Sequence, residues 1–160
     1  MITTNSAKVS LPTDTQILIT REFDAPRHLV WKAYTTPELI RRWWAGSHGT
    51  VTVAEVDLKV GGHWRHVLVT GDAFEVGFHG EYREVRPHDR LVNTEIYEGA
   101  PEGGVSVITT TFTETDGRTV LTQHCEYASR EVRDAVIESG MEGGMQSSMD
   151  ELEKVAASLA

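Results

Sequence analysis

The stretch MEGGMQSSMDELEKVAASL, residues 141–159, decides the architecture. Met141, Met145, Met149, Leu152, Val155 and Leu159 recur at helical spacing and form one apolar stripe. Glu142, Gln146, Asp150, Glu151 and Lys154 fall on the opposite face. Such a helix has one stripe to bury and needs one apolar surface to cover. Ser139-Gly140 precedes it, and glycine costs about 1 kcal/mol in a helix interior. A joint is therefore predicted there, with Ser129 capping a separate helical segment from Arg130 onward.

Upstream of that helix the apolar period is two. A strand beginning near Val51, then His63–Thr70, Val76–Val85, Leu91–Tyr97, Val105–Thr113 and Thr119–Tyr127, alternate and are parted by turn residues, Asp116-Gly117 being the strongest hairpin signal. Thr15–Phe23 is a further strand, with Ile17, Ile19 and Phe23 on one face. Two short helices follow it. Pro26 stands near the start of the first, which carries Val30, Ala33 and Tyr34; Thr36-Pro37-Glu38 opens the second, which carries Ile40, Trp43 and Trp44. This order predicts an α+β fold: a curved antiparallel sheet of about six or seven strands around a long C-terminal helix. Residues 1–14 are predicted as a flexible N-terminal arm and 15–160 as a single domain.

The chain has 160 residues and a formal net charge of −9, from 24 acids against 15 bases. A negative field repels phosphate backbones and anionic lipid, so no nucleic-acid partner is expected. No apolar run is long enough for a membrane span, and Met1–Pro12 lacks the apolar core of a signal peptide. The single cysteine, Cys125, precludes an intrachain disulfide and fits a reducing compartment; it reads as a small buried hydrophobe in a strand. A cytoplasmic location is expected.

Several runs occur in a telling order: Arg21-Glu22-Phe23-Asp24-Ala25-Pro26 with Val30-Trp31, then Thr36-Pro37-Glu38-Leu39-Ile40-Arg41-Arg42-Trp43-Trp44. Gly61-Gly62-His63-Trp64-Arg65, Gly80-Glu81-Tyr82-Arg83-Glu84-Val85, Arg90-Leu91-Val92 and Ser139-Gly140-Met141-Glu142-Gly143-Gly144-Met145 follow. Together they resemble START-like (SRPBCC, helix-grip) proteins, in the branch named after the activator of a heat-shock chaperone ATPase. The resemblance spans Thr15 to Leu159 and rests on order and spacing. It implies a helix-grip fold with a cavity between sheet and last helix. Relatives bind lipids, sterols, polyketides or plant-type aromatics, and some are cyclases or hydrolases. The branch name implies a chaperone ATPase co-factor and a stress-response role. Relatives often carry tryptophan or another large residue where Met145 stands, so methionine leaves adaptable volume here.

Candidate ligand-binding residues follow from this architecture. Met141, Met145 and Met149 lie on the helix stripe, though a stripe facing a sheet is equally a plain core. Trp64 and His66 share one strand face, Phe78 and Tyr82 share the next, and Trp44 could sit at a cavity rim. Glu95 and His124 point inward or outward according to register, which one bulge reverses. His66 or His124 as base, with Glu95 and Tyr82, would make an acid–base set; a histidine on an apolar face is also an ordinary hydrogen-bonded core residue. His63 and His66 are three apart on a strand and face opposite sides, and cysteine pairs are absent, so no metal site is predicted. Gly61-Gly62 precedes a strand, not a helix, and forms no phosphate loop; no cofactor is expected. The expected function is an intracellular binding protein for a hydrophobic or aromatic small molecule. The alternatives are a cyclase or hydrolase with a histidine base, and a chaperone ATPase co-factor. Ligand identity and homodimer formation stay open.

Overall fold

In the computed structural model, residues 6–160 are described. The strands are β1 (Lys8–Ser10), β2 (Gln16–Phe23), β3 (Gly49–Val56), β4 (His63–Thr70), β5 (Glu75–Arg86), β6 (Arg90–Tyr97), β7 (Ser106–Thr115) and β8 (Arg118–Glu126). The helices are α1 (Arg27–Thr35), α2 (Pro37–Trp43), α3 (Arg130–Glu138) and α4 (Met141–Ser158). The strands form one antiparallel sheet in the order β1-β2-β8-β7-β6-β5-β4-β3. The sheet curves around α4 without closing, so β1 and β3 are its edges.

The eight strands exceed the expected six or seven because part of the N-terminal arm is a strand. Lys8–Ser10 pairs with Leu18–Thr20 of β2. The backbone of Ala7 is also clamped by α4: its N–H donates to Gln146 Oε1 (3.0 Å), and Gln146 Nε2 donates to its carbonyl (2.8 Å). Alternation over three residues is too short to distinguish a strand from a polar tail. Residues 1–5 of the arm lie outside the described residues.

The hairpin between β7 and β8 forms at Asp116-Gly117, where both residues take positive φ (53° and 76°), the two-residue turn that matches strand twist. The joint ahead of α4 also forms. Gly140 sits at φ 84°, a conformation that side chains other than glycine resist, and it separates α3 from α4. Ser129 Oγ caps α3 by accepting from Val132 N–H at 3.2 Å.

The stripe of α4 has two fates along its length. Met149, Leu152, Val155 and Ala156 are buried in a cluster with Val30, Trp31 and Ala33 of α1, Ile40 and Trp43 of α2, and Phe112 and Leu121 of the sheet. Met141 and Met145, one to two turns earlier, are only half-buried. They pack against a second cluster formed by Ile17, Ile19, Ile108, Cys125 and Tyr127. Polar contacts fix the helix over the sheet. Buried Arg21 of β2 donates to Asp150 (2.8 Å) and Glu153 (3.1 Å), and its guanidinium lies 4.7 Å from the centre of the Phe23 ring. Ser148 Oγ donates to the carbonyl of Trp44 (2.7 Å), while Ser147 Oγ accepts from Ser47 N–H (2.8 Å).

Candidate functional site

Between the first half of α4 and the concave face of the sheet lies a cavity of about 780 Å³. α1 and α2 fill the gap under the second half of the helix, and past Trp44 the space under its first half is the cavity. The cavity reaches from Tyr34, Trp43 and Trp44 to the turn near Phe74, the 100–104 segment and α3.

One wall is aromatic. The His66 ring lies 5.4 Å from Trp44 and 5.0 Å from Trp64, centroid to centroid; Phe78 lies 5.9 Å from Trp44 and 5.1 Å from Tyr97. Gly80 makes this wall. A Cβ there would stand 1.9 Å from the Thr94 carbonyl oxygen and 2.8 Å from Trp64 Nε1. Its absence lets the indole of β4 cross β5 and donate to the Thr94 carbonyl of β6 at 3.0 Å.

His66 Nδ1 lies 2.8 Å from the Arg65 carbonyl. A carbonyl only accepts, so Nδ1 carries the proton and Nε2 of the neutral ring is an acceptor. Burial holds the imidazole down to about 4, partly offset by that hydrogen bond. At neutral pH it is uncharged and a weak base.

The other wall carries polar groups from β6 and β8. Gln123 Nε2 donates to Tyr34 Oη at 2.6 Å. Burial pushes the Tyr34 phenol and the Cys125 thiol each up to about 12, so both stay protonated, and it raises Tyr82 and Tyr127 as well. Glu95 points into the cavity opposite Ser106 of β7, and no hydrogen bond or ion pair reaches its carboxyl among the described residues. Burial pushes that carboxyl up to about 7.

Eight predicted residues meet in this cavity: Trp44, Trp64, His66, Phe78, Tyr82, Glu95, Met141 and Met145. Two do not. His124 sits between inward Gln123 and inward Cys125 on β8, whose pairing with β2 and β7 runs without a bulge, so its side chain takes the outer face. Met149 is 4% exposed within the core under α1 and α2 and leaves the cavity to its two predecessors. The adjacent tryptophans divide. Trp43 is buried with Nε1 donating to the Ala33 carbonyl (2.8 Å), and Trp44 stays half-buried at the cavity.

Sequence reasoning missed Tyr34, Asn93, Gln123 and Tyr127 as lining residues. A signal existed: Leu121, Cys125 and Tyr127 share parity and outweigh Thr122, His124 and Glu126 in apolarity. Among the described residues, no group of three or more His, Cys, Asp or Glu is placed to hold a metal ion.

The family model described as Activator of Hsp90 ATPase homolog 1-like protein matches residues 24–157, from the end of β2 almost to the end of α4. The chain belongs to the Activator of Hsp90 ATPase homolog 1-like family. Solved structures agree with that assignment to the family. A Rhodobacter sphaeroides protein is 26% identical, with a TM-score of 0.87 over 96% of this chain and 99% of its own. Protein Ms6760 of Mycobacterium smegmatis is also 26% identical, with a TM-score of 0.85 over 94% of this chain and 96% of its own. An Arthrobacter aurescens protein at 23% identity (TM-score 0.84, 94% of this chain and 91% of its own) shares the fold. A search of curated proteins finds no match.

Proposed function

We propose that this family member binds a hydrophobic or aromatic small molecule between the sheet and the first half of α4. The observation that carries this reading is the cavity itself: about 780 Å³, walled by Trp44, Trp64, Phe78 and two methionines, with a few convergent polar groups. That is the size and character of a small-molecule site. Native mass spectrometry of the purified chain and quenching of tryptophan fluorescence by a panel of apolar compounds test it. Trp44 and Trp64 line the cavity, so an occupant must change their emission. A chain that carries no ligand and responds to no compound in a broad panel overturns the reading.

Of the two candidate bases of the cyclase or hydrolase alternative, His66 alone lines the cavity, and burial weakens it as a base. His124 faces away from the cavity, and His66 keeps its Nδ1 proton on the Arg65 carbonyl while burial disfavours a second one. The co-factor alternative rests on the family description alone; stimulation of a purified Hsp90 ATPase by the chain would support it.

A further inference from the structure

We infer that the cavity takes an apolar or aromatic amine whose ammonium group seats against the carboxyl of Glu95; this rests on the cavity being a ligand site. Charge selects among the ligand classes that an apolar cavity admits. Glu95 is the sole carboxyl among the lining residues, and no lysine or arginine lines the cavity among the described residues. The remaining basic group, His66, is held neutral by burial. A ligand bearing a carboxylate or phosphate would bring a second negative charge beside Glu95 with no cation to offset either. A ligand bearing an ammonium supplies the missing partner.

The surroundings of Glu95 suit a cation as well. From α1, Tyr34 faces it; from β8, Cys125 and Tyr127 do, and burial keeps all three protonated and uncharged. Its cross-strand neighbour on β7 is Ser106. Trp64 donates to the carbonyl of Thr94, the residue just before Glu95 on β6, and lines the same cavity. Aromatic faces around a carboxylate attract an organic cation through the ring quadrupole, and exclusion of water strengthens both attractions. Among the described residues, the carboxyl has no hydrogen-bond or ion-pair partner to lose when a ligand arrives. With its acidity shifted to about 7, the acid is partly protonated in the empty site at neutral pH. Docking an ammonium then releases that proton to the buffer and leaves carboxylate and ammonium paired.

The test uses the full chain and three probes on one scaffold: naphthylethylamine, naphthylethanol and naphthylacetate, titrated at pH 7. The amine is expected to bind roughly tenfold more tightly than the alcohol, with the acetate weakest. Amine titrations in two buffers of different ionisation enthalpy should report proton release. Glu95→Gln, nearly isosteric, should abolish both the preference and the release while still binding the alcohol. Alcohol binding equal to amine binding in the wild-type chain overturns the inference, as does an amine preference that survives Glu95→Gln. If uncharged Nile red binds and the amine does not, this inference falls and the cavity reading stands. If neither Nile red nor any probe binds, both fall.

Discussion

Glu95 and His66 line one cavity, and burial shifts them in opposite senses. The folded-state carboxyl, raised from 4.5 to about 7, holds its proton more tightly than the unfolded one. Its contribution to stability is full below the unfolded value and is lost as pH rises through about 7. The imidazole, lowered from 6.5 to about 4, contributes above its unfolded value and loses that contribution as pH falls through about 4. The windows overlap, so each masks the other in the wild-type chain. Comparing variants with wild type separates them. Glu95→Gln should gain stability relative to wild type as pH rises from 4.5 to 7, by at most about 3 kcal/mol. His66→Gln should gain relative to wild type as pH falls from 6.5 to 4. Urea melts across that range measure both, and parallel profiles would mean that the two groups are solvated. Gly80 is a third residue with a defined consequence. Gly80→Ala puts a methyl 1.9 Å from the Thr94 oxygen, so the chain must shift and Trp64 must leave its acceptor. A loss of about 2 kcal/mol with a red-shifted tryptophan emission is expected.

The elements divide their labour within single stretches. α4 is core from Met149 onward and cavity roof before it, because α1 and α2 grip only its second half. Leu152→Ala should therefore cost about 3 kcal/mol, whereas Met141→Ala should cost under about 1 kcal/mol. Equal losses in denaturant melts would refute the division. Met145→Trp should leave the melt near wild type and weaken ligand binding at least about tenfold, by filling the roof of the cavity. Strand parity was legible where alternation was strong, as at Trp64, His66, Phe78 and Tyr82. It was illegible where a bulge intervened. In β3 a register shift between Val51 and Val53 sends Ala54, not Val53, inward after Val51. In β8 the pairing is regular, and parity is carried only by the apolar residues Leu121, Cys125 and Tyr127, which bring polar Gln123 to the cavity and turn His124 away.

At the scale of the whole molecule, a sheet strand and the covering helix are tied by one buried cation. Arg21 is 2% exposed and reaches both Asp150 and Glu153 across more than a hundred residues of chain. Arg21→Ala should lose about 3 kcal/mol, read by denaturant melts, since it removes a buried guanidinium that ties β2 to α4 and leaves a void under α4. A loss below about 1 kcal/mol would show that apolar packing alone seats the helix. The order of elements, the hairpin at Asp116-Gly117, the joint at Gly140 and the single apolar stripe of α4 were determined by the sequence itself. Each depends on local backbone preference or periodicity. Tertiary structure decided that the stripe splits into core and roof, that Lys8–Ser10 becomes an edge strand, and that Glu95 turns inward while His124 turns out. Those outcomes depend on strand register and on where the α1–α2 bracket ends, and both are set by contacts between residues far apart in the chain.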